Sequence, residues 1–161
     1  MVLEQWKASQ KKFLTKSKLI LLSLLLKNKA MKKIFLQGII AGAFSAIAAV
    51  IYFTIYQNAL ATQFNKVVNA GAIIGSSLLG CMLMAVGYAL LYKFNKLKWQ
   101  GWLNMVIAVL SFASIISPIA MSLPIDIKSP ELFPGLVVPM HFFPALAFFC
   151  ISPFFNKNEL A

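Results

Sequence analysis

Four long stretches of this chain carry no charged side chain: residues 34–65, 67–92, 99–125 and 132–156. Each is at or above the roughly 20 residues that a helix needs to cross the hydrocarbon of a bilayer. Trimmed by hydropathy, the expected spans run from about Ile34 to Tyr56, Val67 to Tyr92, Gly101 to Ile125 and Leu132 to Phe155. Hydrophobic residues make up 60% of the 161, and the polar connections between spans are too short to hold a soluble domain. The expected fold class is therefore an all-α membrane protein, a four-helix transmembrane bundle occupying residues 31–161 as a single domain.

The lysines orient the spans. All 15 basic residues are lysine; nine precede the first span and Lys93, Lys96 and Lys98 fall between the second and third. With Lys157 at the C-terminus, one side of the membrane receives thirteen lysines and the other only Lys66 and Lys128. Cytoplasmic loops are the lysine-rich ones, so both termini are expected in the cytoplasm. A net charge of +11 is also compatible with nucleic-acid binding. Here, however, arginine is absent and the lysines flank apolar spans, which favours anionic lipid at the cytoplasmic face over nucleic acid.

Residues 31–46, MKKIFLQGIIAGAFSA, have the look of a signal peptide, with Ala46-Ile47-Ala48 as a cleavage site. A signal peptide's apolar core is about 7–15 residues long, whereas this one continues to Tyr56, so an uncleaved span is expected. Upstream, Leu3, Trp6, Phe13 and Leu14 share a helix face opposite Lys7, Lys11, Lys12, Lys16 and Lys18, and LILLSLLL occupies 19–26. Eight helical residues extend only about 12 Å, too short to cross. Residues 1–30 thus read either as a basic interfacial helix or as a non-native extension upstream of Met31.

Glycines recur at four-residue spacing in the first two spans, Gly38 with Gly42 and Gly71 with Gly75. Such rows let helix backbones approach closely in lipid. Because the two spans run in opposite directions, the two pairs lie near opposite faces of the membrane. Each is expected to pack on a different neighbour or on a second copy of the chain. In the third span, positions 104, 108, 111, 115 and 118 trace one helical face with some polar character, and Pro118 is expected to loosen the helix. Pro134, Pro139, Pro144 and Pro153 make a straight fourth helix improbable.

The single histidine, His141, lies in VVPMHFFPALAFF, roughly 13 Å along a helix from Leu132. By depth alone, Ser114 and Ser117 of span three, Tyr52 of span one and Ser76 of span two are its candidate partners. Pro139 also frees the carbonyl of Gly135, and Pro144 that of Met140. A neutral imidazole both donates and accepts, so His141 is expected either to tie span four to Ser114 or Ser117, or to contribute a polar group to a ligand pocket or conduction path. All four acids, Glu4, Asp126, Glu131 and Glu159, lie outside the spans, which argues against an acid-based proton relay. Cys81 and Cys150 form no CxxC pair, and zinc-site, triad and phosphate-loop residue sets are missing. No cofactor or metal is expected.

Residues 122–146, SLPIDIKSPELFPGLVVPMHFFPAL, resemble an uncharacterised family of small four-span bacterial inner-membrane proteins, in which a proline- and acid-rich outer loop leads into a last helix with an early Pro-x-His, here Pro139 and His141. The resemblance implies location and topology and supplies no activity. The expected function is that of a non-enzymatic accessory or assembly component with a protein partner or a second copy of itself. The alternative is a small oligomeric transporter or channel subunit with a polar site around His141. A water-accessible polar cavity reaching His141 favours the alternative, and a dry, fully packed site favours the first reading.

Overall fold

The computed structural model describes the backbone of residues 2–124, 127 and 129–155, and among these the side chains from Asn28 onward. The amphipathic face expected of residues 1–30 is therefore outside the described side chains, as are Asp126, Lys128 and Lys157. Two compact units divide the chain, Met1–Lys33 and Ile34–Ala161. The first is helical from Val2. The second contains all four uncharged runs.

Helices α1 (Val2–Leu60), α2 (Ala70–Lys93), α3 (Gln100–Ala113), α4 (Ile116–Ala120) and α5 (Phe133–Phe155) follow one another along the chain, with single 3-10 turns at Leu97–Trp99 and Pro130–Leu132, and no strand occurs among the described residues. Four segments are long and apolar enough to cross a membrane: Asn28–Leu60, Ala70–Lys93, Leu97–Ala120 and Pro130–Phe155.

Local chemistry sets the helix ends. The Asn69 side chain caps α2 by accepting from the Ala72 N–H at 2.8 Å, so the helix starts three residues after the expected Val67. At the far end Asn95 takes a left-handed conformation (φ 55°), and the Lys96 N–H reaches back to the Leu91 carbonyl at 2.9 Å. Ala61 (φ 50°) ends α1 in the same way, with Thr62 N–H on the Gln57 carbonyl at 3.1 Å. Both are six-to-one closures that satisfy carbonyls the helix would otherwise leave open.

The third apolar segment is broken where Pro118 dictates. Its ring crowds the carbonyl four residues back, at Ser114, and α3 stops at Ala113. Met121 then turns to extended backbone (ψ 126°), so this segment ends before the expected Ile125. Its inward face matches the predicted stripe: 104, 108, 111, 115 and 118 are half-buried and Ile107 is buried, while most of the opposite face is exposed.

α5, in contrast, continues through Pro139, Pro144 and Pro153. Two buried clusters pack along it. One gathers Phe53, Phe64, Ile73, Phe133 and Leu136, with the Phe64 and Phe133 rings edge to face at 5.5 Å. The other gathers Ala41, Cys81, Ala85, Tyr88, Ile107 and Phe148.

Candidate functional site

An α-helix that keeps its prolines must find other donors for the carbonyls they orphan. Tyr52 of α1 supplies one: its hydroxyl donates to the Gly135 carbonyl at 2.8 Å, the group that Pro139 cannot reach. Further donors reach the carbonyls of this helix and of the 3-10 turn that leads into it. Tyr56 donates to the Leu132 carbonyl at 2.7 Å, the Cys81 thiol to Pro144 at 3.4 Å, and the Gln37 amide to Phe148 at 3.4 Å. Gly135 makes room for this arrangement, since a Cβ there would stand 2.5 Å from the Tyr56 hydroxyl. Side chains of α1 and α2 thus hold α5 through its backbone.

Tyr52→Phe and Tyr56→Phe are each expected to lower the melting temperature in detergent. Hydrogen bonds between apolar helices contribute about 0.6 kcal/mol on average and at most about 1.7 kcal/mol, so the double variant should lose roughly 1–3 kcal/mol. Tyr52→Phe should be the costlier single change, because the carbonyl it leaves has no helical N–H to return to. Equal melting temperatures for parent and double variant would show that these bonds carry nothing.

His141 also bonds within α5. Its Nδ1 lies 2.8 Å from the Val137 carbonyl, and since a carbonyl only accepts, Nδ1 carries the hydrogen. Nε2 is left as an acceptor with no partner among the described residues. The expected tie to span three is not formed. Ser114 donates to the Ser111 carbonyl of its own helix at 2.7 Å, and both Ser114 and Ser117 lie on the exposed side of their segment. Of the four predicted partners, Ser76 shares a cavity with His141, while Tyr52 serves the neighbouring Gly135 carbonyl.

That cavity, about 310 Å³, lies between α1, α2 and α5. Ala49, Ile73, Ser76, Ser77, Met140 and Pro144 line it together with His141. It borders the first buried cluster, sharing Ala49, Ile73 and Val137 with it, and stops at Pro144 beside Ala145 of the second. Ser76 donates to the Ile73 carbonyl at 3.0 Å, and the hydroxyl of Ser77, only 3% exposed, has no partner among the described residues. No cluster of three metal-capable His, Cys, Asp or Glu side chains occurs among the described residues.

The two glycine rows differ sharply. A Cβ at Gly38 would lie 2.8 Å from Ala85 Cβ, and one at Gly42 would lie 2.8 Å from Leu78 Cδ2 and 3.1 Å from Leu78 Cα. These glycines let α1 press against α2. Gly71 would meet only its own capping residue Asn69, and Gly75 nothing within 4 Å. Beside this open row runs a groove of about 420 Å³ between α1 and α2, lined by Ala43, Ala46, Ile47, Val50, Ile51, Ile74 and Leu78.

Gln37, Tyr56, Ser45 and Ser77 are not singled out by the sequence patterns. Gln37 had a signal, being the only amide in the first expected span. Buried to 1% exposure, it also has a donor that must be satisfied. Ser45, whose buried hydroxyl has no partner, carried no such mark.

No family model, curated protein or solved structure matches this chain.

Proposed function

We propose that this chain is a non-enzymatic accessory or assembly component of a bacterial inner membrane, crossing it four times with both termini cytoplasmic. The observation that carries the reading is the uncovered row of Gly71 and Gly75 beside the apolar groove of α1 and α2. In lipid there is little hydrophobic drive between helices, so association depends on close backbone approach, which small residues permit. The protein uses this device internally at Gly38 and Gly42 and leaves its counterpart open. Its occupant is a transmembrane helix of a partner membrane protein. The bacterial location rests on the resemblance of residues 122–146, and the orientation on the lysine asymmetry.

A photoreactive residue in place of Leu79, an exposed position one turn along from Gly75, tests the occupant in native membranes. Ultraviolet light should yield an adduct with a different membrane protein. Adducts with lipid alone would remove the reading, and adducts with a second copy would replace the partner by a homodimer.

Orientation is tested separately. Cysteines introduced at Asn58 and Ser129 should react with an impermeant thiol reagent in cells whose outer membrane has been permeabilised, and one at Asn95 should not. The reverse pattern contradicts the thirteen-to-two lysine asymmetry.

The second reading, a small oligomeric transporter or channel subunit, is favoured by the cavity that reaches His141. Against a path through a single chain stands the packed cluster of Cys81, Ala85, Tyr88 and Phe148 beyond Pro144. The cavity is better suited to holding a molecule than to passing one.

A further inference from the structure

We infer that the cavity beside His141 binds a small uncharged molecule that presents one hydroxyl or amide N–H to the imidazole and an apolar body to the remaining walls. Its volume of about 310 Å³ falls at the lower end of ligand pockets, which are typically about 300–1,000 Å³ and mostly apolar with a few placed polar groups. The polar groups here are specific. With Nδ1 committed as donor to Val137, Nε2 must accept. Ser77 adds an unpartnered hydroxyl in a residue almost fully buried. Ser45 lies one helical turn from cavity-lining Ala49 on the same face of α1, and its buried hydroxyl is unpartnered as well.

Charge restricts the ligand class. Among the described residues neither an acid nor a lysine lines the cavity, so an ion of either sign would find no charged partner in its walls. An acyl chain would fill the apolar part but leave Nε2 and Ser77 unused. A compact ring or branched alcohol satisfies both demands. This ligand is independent of the proposed partner, because the cavity and the outer groove are lined by different residues of α1 and α2.

The test uses the full chain in detergent with 4-fluorophenol and its methyl ether, 4-fluoroanisole, followed by fluorine NMR. The phenol should bind saturably, and the ether, which has no donor, about fivefold more weakly, the loss expected for one neutral hydrogen bond. In His141→Leu the preference for the phenol should vanish. This variant should stay folded, since the Val137 carbonyl keeps the backbone N–H of its own helix as a partner. Ala72→Leu provides a second, independent variant: Ala72 is an exposed residue of the cavity wall, and leucine there fills the space without touching the imidazole. It should abolish binding of both probes. Equal binding of phenol and ether by the parent, a phenol preference that survives His141→Leu, or no saturable binding above the Ala72→Leu level would each overturn the assignment.

Discussion

Gly42→Leu is expected to lower the stability of the protein by about 3 kcal/mol, the upper end of the usual range for overpacking a close contact. The added Cβ alone would stand 2.8 Å from Leu78 Cδ2 and 3.1 Å from Leu78 Cα. A side chain can turn aside, but a backbone carbon cannot, so α1 and α2 must separate. Separation would also loosen the cluster around Ala41, Cys81 and Ala85, and with it the hydrogen bond from Gln37 to Phe148. The higher helix propensity of leucine over glycine recovers less than about 1 kcal/mol, too little to offset this. Thermal melting in detergent reads the result, and a variant that melts with the parent would show that α1 and α2 do not meet at this glycine.

Patterns that depend on one helix were legible in the sequence. The four apolar runs, the break imposed by Pro118 and the half-buried face at 104, 108, 111, 115 and 118 all derive from composition and a period of 3.6 residues. That same face contained a warning against Ser114 and Ser117, which fall off it. Matching residues by depth ignored their direction around the helix, and so paired His141 with serines that point away.

Neighbour identity was not legible. Both glycine rows have the same spacing, and only packing distinguishes a pair pressed on Ala85 and Leu78 from a pair facing outward. The carbonyl orphaned by Pro139 could be named from the sequence, but its donor could not, because Tyr52 stands 83 residues away. α5 continues through three prolines, and at Pro139 a distant hydroxyl serves the carbonyl that local rules leave open.

The contrast between the glycine rows separates stability from assembly. Leucine at Gly75 would meet no atom within 4 Å at its Cβ, so Gly75→Leu should melt at or slightly above the parent temperature, gaining helix propensity at no steric cost. A partner helix seated on Gly71 and Gly75 would instead be pushed off by the new side chain, with its affinity reduced at least about tenfold, the equivalent of roughly 1.4 kcal/mol. One variant thereby reads both effects. The direct measurement is the size of the complex extracted from native membranes in mild detergent, for the parent and for Gly75→Leu side by side. A partner helix on this row predicts a parent complex larger than the single chain and a Gly75→Leu protein that is folded but alone. A parent that is itself a single chain, or a variant that retains the full complex, would contradict it.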